Sequence, residues 1–399
     1  MNIEINKGRA SGKIYAPPSK SYAHRLLICA ALANGESKID GIINSDDMQA
    51  TLNCLSSLGA RYERRGKEVT VYGGNLNNFH RSFECLESGS TLRFFIPIAL
   101  ATGDGATFIG SKRLIDRGIS EYEEIFGKKG IKINKSENKI ELFGSLTSGE
   151  YRLAGNVSSQ FISGLIFALP LLFGDSKIVI TTELESADYV NITIDAVRKF
   201  GIEVDFRDNE IFIKGNQKYE SQNLTVEGDA SNAAFLDAFN ILGGDVSVLG
   251  LNKDTIQPDF IYKDYFEKIN GGTPCLSLAA CPDLGPVCMA LAALKNGARF
   301  TGTKRLAIKE SDRAEAMATE LGRLGGKVEV YENEVVVHKI DEIKRNQELF
   351  CHNDHRIAMA LAVVLSACGG TLIGCECVNK SYPTFFKDLS GLGIYEKEK

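Results

Sequence analysis

The chain is 399 residues long, 44% hydrophobic and 24% charged, which supplies ample core material and exceeds what a single core usually holds. A formal net charge of −5 argues against a general surface for nucleic acid or anionic membrane, so cationic clusters have to be judged one by one. The opening MNIEINKGRASG has no secretory h-region, and the apolar run Phe161–Phe173 contains Pro170 and is too short to span a bilayer. Ten scattered cysteines without C-x-x-C pairs read as reduced core thiols, so a cytoplasmic protein is expected.

In chain order, apolar helical runs open at Lys20, Gly89, Ser158, Asp229, Asp283 and Asn353, a period of roughly seventy residues broken only between the fourth and fifth. All six end in glycine, the residue best suited to a left-handed helix cap. After each comes a short β-like segment, a polar loop and an amphipathic helix ending at Gly59, Gly130, Gly201, Gly271, Gly325 or Gly393. In the first, second, third and fifth units a strand-turn-strand follows, as in IKINKSENKIELFG. A near copy of the loop GTKRLAIKESDR at Gly302–Arg313 occurs as GSKRLIDRG at Gly110–Gly118, which also points to duplication.

The unit is therefore βαβαββ, its first strand just ahead of the apolar helix (GKIYAPP, EYRLAG, NLTVEGD). The first helix of each unit is apolar nearly all round and belongs in a core, whereas the hairpins alternate apolar with charged residues. An α/β protein of two inside-out domains is expected, each with three repeats, buried parallel helices and outer sheets. The N-terminal domain is expected over 14–226, and the C-terminal domain over 1–13 with 227–399.

Parallel helices in each domain would bring their N-termini to one end, where unpaired N–H groups and the helix dipole favour an anion. Capping explains the serines and aspartates at those starts. It does not explain Lys20, Arg25, Gln160 or Arg356. Loops before the second helices add Arg117, Lys309, Arg313 and Lys380, together with the carboxylate Glu310. Two facing domain ends holding a ligand with several anionic groups are expected. Phosphate-loop, dinucleotide and metal-site spacings do not occur, so no cofactor and no metal are expected.

These residues resemble the 5-enolpyruvylshikimate-3-phosphate synthase family over essentially the whole chain. The resemblance lies in PPSKSYAHR (Pro17–Arg25), SGSTLR (Ser88–Arg93), Arg117, SSQF (Ser158–Phe161), Ser186 with Tyr189, PDLG (Pro282–Gly285), KESDR (Lys309–Arg313), NDHR (Asn353–Arg356) and Lys380. It implies two inside-out domains and transfer of the enolpyruvyl group of phosphoenolpyruvate to the 5-hydroxyl of shikimate 3-phosphate. Shikimate 3-phosphate contacts would fall on Lys20, Ser21, Arg25, Ser158, Ser159, Gln160, Ser186, Asp283 and Lys309. Phosphoenolpyruvate contacts would fall on Lys20, Gly89, Arg117, Gln160, Arg313, Arg356 and Lys380. Asp283 and Glu310, with Lys309 beside it, would handle protons.

A monomer follows from the resemblance, with two small-molecule partners and neither nucleic acid nor membrane. Two departures stand out: Glu87-Ser88 where many members have Asn-Ala, and Arg305 where many place Asn. The sister transferase acting on UDP-N-acetylglucosamine is disfavoured, because no cysteine lies between Ser111 and Arg117. A ring-type DNA clamp would need a basic inner helix face, and the inner helices here are apolar.

Overall fold

The computed structural model describes residues 1–74, 76, 80–394 and 396–398. They form two compact units, Pro18–Glu227 and Met1–Pro17 with Gly228–Lys399. In the N-terminal unit the core helices are Lys20–Leu32, Gly89–Ala101 and Ser159–Ala168. Every residue from Tyr22 to Leu32 is buried, as a helix without a polar face requires. Three four-stranded sheets accompany them. The second repeat, for example, orders its strands Arg81–Glu84, Gly105–Ile109, Lys139–Phe143, Lys132–Lys135, the first pair parallel and the rest antiparallel.

The C-terminal unit has core helices Ala230–Ile241, Gly285–Leu294 and His355–Cys368. Its fifth repeat has the same four-stranded order. The fourth is shortened to the strand Asp245–Leu249, and the sixth recruits the chain start. Strand Asn2–Ile5 lies antiparallel between Gly370–Ile373 and Glu396–Glu398, replacing the hairpin that the sixth repeat lacks.

The strands that lead into the first and fourth core helices are exchanged. Ser11–Tyr15 pairs in parallel with Asp245–Leu249 in the C-terminal unit, while Asn223–Thr225 pairs with Gly35–Asp40 in the N-terminal unit. A boundary after residue 13 would cut the strand Ser11–Tyr15; the units instead meet in sequence at Pro17-Pro18 and Glu227-Gly228.

Glycine closes fewer core helices than expected. The first ends at Ala33 in extended backbone because the next strand opens at Gly35, and the third runs into a 3-10 turn, Leu169–Leu171, at Pro170. The fifth opens at Gly285 rather than Asp283, which sits in a preceding 3-10 turn, Pro282–Leu284.

One core contact bears directly on the site. Pro97, inside the helix Gly89–Ala101, has no N–H to give the Arg93 carbonyl four residues back. The Tyr122 hydroxyl lies 2.8 Å from that carbonyl and 2.9 Å from the Phe161 carbonyl on the neighbouring core helix. The two helices approach so closely at Gly164 that a Cβ there would fall 2.4 Å from the Arg93 oxygen. Only glycine fits.

Candidate functional site

In the N-terminal unit the core-helix N-termini are joined by short polar bridges. Gln160 in the third helix donates Nε2 to Ser90 Oγ in the second at 2.9 Å, and its Oε1 accepts from Arg93 Nη1 at 2.7 Å. His24 Nδ1 in the first helix lies 2.7 Å from Thr51 Oγ1, which lies 2.9 Å from Thr91 in the second. Burial, then Lys20 and Arg25, push the His24 pKa well below its ordinary value and hold the ring neutral. Ser158 caps its helix by accepting from the Gln160 N–H at 3.3 Å. Ser159 is buried behind it.

Arg25 is buried, and its three nitrogens donate to Thr193 Oγ1 (2.7 Å), the Ser21 carbonyl (2.7 Å) and the Tyr189 carbonyl (3.1 Å). None of these acceptors is a carboxylate. Burial accordingly brings the guanidinium pKa down to about 10. A cation so placed, in the first turns of a helix, is electrostatically unfavourable until an anion joins it. Lys20 differs: its Nζ pairs with Asp47 at 2.8 Å.

Arg117 ends the short helix Lys112–Asp116 and lays its guanidinium on Gly89, where a Cβ would fall 3.0 Å from Nη2. Ser186 begins the helix Ala187–Lys199 with φ +57°, a conformation that costs a non-glycine residue ~1–3 kcal/mol and persists where surroundings impose it.

The C-terminal unit solves the charge problem the opposite way. Arg313, 1% exposed, meets three carboxylates: Asp354 from Nε at 2.8 Å, Asp283 from Nη1 at 2.7 Å and Glu310 from Nη2 at 2.7 Å. Asp283 in turn meets Lys309 at 3.2 Å and Arg356 at 3.0 Å. Arg356 also donates to Ser231 at 2.6 Å, so it ties the first turns of the fourth and sixth core helices to the turn before the fifth. Burial alone would raise the Asp283 pKa, but Arg356, Lys309 and Arg313 outweigh it and hold the carboxyl well below the usual range.

The Lys309 ammonium pKa is lowered. Burial is the largest cause, Asp283 and Glu310 oppose it, and Arg313 and Arg305 reinforce it. Lys380, nearly buried, donates to the Asn353 carbonyl at 2.6 Å.

The structure thus brings Gln160, Ser158, Ser159, Lys20, Ser21 and Arg25 to the helix starts of one unit, with Arg117 against Gly89. It brings Asp283, Lys309, Glu310, Arg313 and Arg356 into one ion-pair cluster in the other. Sequence reasoning missed the partners: Asp47, Arg93 as the orienter of Gln160, and Asp354 as more than a cap. Asp47 reads as an ordinary acidic residue of a helix first turn, and no local pattern announces a long-range pair. Arg305, buried, donates to the Ala279 carbonyl. Among the described residues no group of three or more His, Cys, Asp and Glu side chains could hold a metal ion, and no helix is long and apolar enough to cross a membrane.

A two-unit, six-repeat α/β protein with cation-lined helix starts is the class that the fold and these clusters define. Solved structures share that fold: EPSP synthase from Acinetobacter baumannii superposes with a TM-score of 0.76 at 22% identity, each chain covered in full. The enolpyruvyl transferase NikO from Streptomyces tendae gives 0.81 at 15% identity, covering 100% of this chain and 98% of that one. The family model "EPSP synthase (3-phosphoshikimate 1-carboxyvinyltransferase)" matches residues 5–273 and 272–389. The 3-phosphoshikimate 1-carboxyvinyltransferases of Clostridium kluyveri and Clostridium beijerinckii are 42% and 41% identical, each alignment covering 98% of this chain and 97% of the relative. The chain belongs to the EPSP synthase family.

Proposed function

We propose that the chain transfers the enolpyruvyl group of phosphoenolpyruvate to the 5-hydroxyl of shikimate 3-phosphate. The hydroxyl oxygen bonds to C2 as it loses its proton, and C3 gains a proton, giving a tetrahedral intermediate. C3 then returns its proton as the C2–O bond to phosphate breaks and phosphate leaves. Arg25, Lys20, Ser21, Ser158, Ser159, Gln160, Ser186, Asp283 and Lys309 are the proposed contacts of the phosphosugar. Lys20, Gly89, Arg117, Gln160, Arg313, Arg356 and Lys380 are those of phosphoenolpyruvate.

The observation that carries this reading is Asp283 held by three cations. A carboxylate so paired is a weak base. Substrate anions that claim Arg313 and Arg356 withdraw that compensation, so the basicity of Asp283 rises when the hydroxyl proton must be taken. The same exchange at Arg313 loosens Glu310, the proposed proton carrier at C3, and Lys309 with its lowered pKa stands beside both. The need for forked recognition of carboxylate and phosphate accounts for arginine at 117, 313 and 356.

The reading also takes the chain as a cytoplasmic monomer. Phosphate release is the test. It is expected only when phosphoenolpyruvate and shikimate 3-phosphate are both present; release from phosphoenolpyruvate alone, or from neither mixture, overturns the reading.

A further inference from the structure

We infer that Glu320, named in none of the roles above, is a positioning residue for the ion-pair cluster of the C-terminal unit, acting through the turn His352–Asn353. Glu320 lies in the helix Arg313–Arg323 with its side chain 0% exposed. Its Oε2 accepts from the Phe350 N–H at 3.0 Å and pairs with Arg323 Nε at 3.2 Å, and its Oε1 lies 2.7 Å from His352 Nε2. Burying a carboxylate costs several kcal/mol before its partners offset it, and an apolar side chain would fill the same space at lower cost. Packing alone does not account for a glutamate here.

What the carboxylate holds is a strained turn. His352 and Asn353 both have φ +52°, two consecutive non-glycine residues in the left-handed region. Each costs ~1–3 kcal/mol and persists only where the surroundings over-determine it. Glu320 fixes the upstream side by gripping the backbone at Phe350 and the ring of His352. Lys380 fixes the downstream side through the Asn353 carbonyl.

The next residue, Asp354, caps the helix His355–Cys368 by accepting the Arg356 N–H at 2.9 Å, and takes Arg313 Nε at 2.8 Å. Arg356 follows two positions later. The path of this turn therefore sets where Asp354, Arg356 and the acceptor of Lys380 stand, though Glu320 bonds to none of them. Because Arg313 opens the helix that carries Glu320, the clamp also fixes Arg313 relative to the turn.

The test compares Glu320→Ala with Glu320→Gln and with Leu321→Ala, a fully buried neighbour that weakens the same helix without bonding to the turn. Hydrogen exchange of the Asp354 and Arg356 amides, relative to amides in the middle of the helix His355–Cys368, is expected to speed up ~10-fold in Glu320→Ala and less than ~2-fold in Leu321→Ala. The kinetic arm rests on the reading under Proposed function. There the KM for phosphoenolpyruvate is expected to rise ~10-fold in Glu320→Ala with kcat changed less than ~3-fold, and Glu320→Gln to recover most of the loss.

Equal exchange in Glu320→Ala and Leu321→Ala, or an unchanged KM beside an active wild type, overturns the inference. A wild type without turnover defeats the proposed reaction instead, and exchange still decides the clamp.

Discussion

At the scale of single residues, the two units handle buried cations by opposite means, and the difference has consequences. Arg25 sits among neutral oxygens with its pKa lowered by burial, whereas Arg313 is saturated by carboxylates. Gly89 offers the sharpest probe of the first arrangement, because a methyl group there would fall 3.0–3.2 Å from the Arg117 guanidinium. The neighbour that must yield is the far end of a flexible side chain. Gly89→Ala should therefore leave stability within about 1 kcal/mol of wild type, or raise it slightly through helix propensity. Moving the guanidinium by a few tenths of an ångström should raise the KM for phosphoenolpyruvate several-fold, which steady-state kinetics alongside thermal unfolding would check. An unchanged KM would place Arg117 outside the binding set. Residues of this kind were legible because position and type conflicted: Gln160 and Arg356 stand in the first turn of their helices and Arg25 in the second turn of its own, where capping gives no reason for them. Asp47 and Arg93 were not, since each obeys local rules and acts through a partner distant in sequence.

At the scale of elements, sequence periodicity read the core helices well and their ends poorly. The starts at Lys20 and Gly89 follow from Ser19 and Ser88, which accept the N–H of Tyr22 and Thr91. The end at Ala33 depends on how soon the next strand pairs, which is a tertiary matter, and a glycine close by does not fix it. Pro97 is the clearest case of context deciding. In isolation it would break the helix Gly89–Ala101; here a tyrosine from another helix answers the carbonyl it orphans. Tyr122→Phe should cost about 1–3 kcal/mol, the penalty of leaving a buried carbonyl unsatisfied with the ring packing kept. Arg93 should also lose its fixed hold on Gln160. Chemical denaturation, read with the affinity for shikimate 3-phosphate, would show both. A stable variant with weakened affinity would separate the positioning role from the structural one, and no change in either would refute the account of Pro97.

At the scale of the whole molecule, the sixfold repeat was visible but its closure was not. The strands ahead of the first and fourth core helices were counted with those repeats, while the expected bounds put residues 1–13 with the C-terminal domain and 223–226 with the N-terminal one; Ser11–Tyr15 pairs with Asp245–Leu249, and Asn223–Thr225 with Gly35–Asp40. Period-two patterning marks a strand without naming its neighbour, so the partner and register of each strand are fixed only by coordinates. The sixth repeat shows the same limit: it lacks a hairpin, and the missing strand is supplied by Asn2–Ile5 from the other end of the sequence. Ile3 and Ile5 face the core of the C-terminal unit at 3% and 0% exposure, while Asn2 and Glu4 alternate outward. Residue pairs from Asn2↔Ile373 to Ile5↔Gly370 hold this strand beside the one that follows the helix carrying Arg356. Ile5→Ala should therefore cost about 2–5 kcal/mol, as a fully buried isoleucine does when truncated, by loosening the sheet of the sixth repeat. Urea unfolding would give the loss, and an exposed-face control, Glu4→Ala, should stay within about 0.5 kcal/mol. Equal effects at the two positions would mean that this strand is not part of the core that positions Arg356 and Lys380.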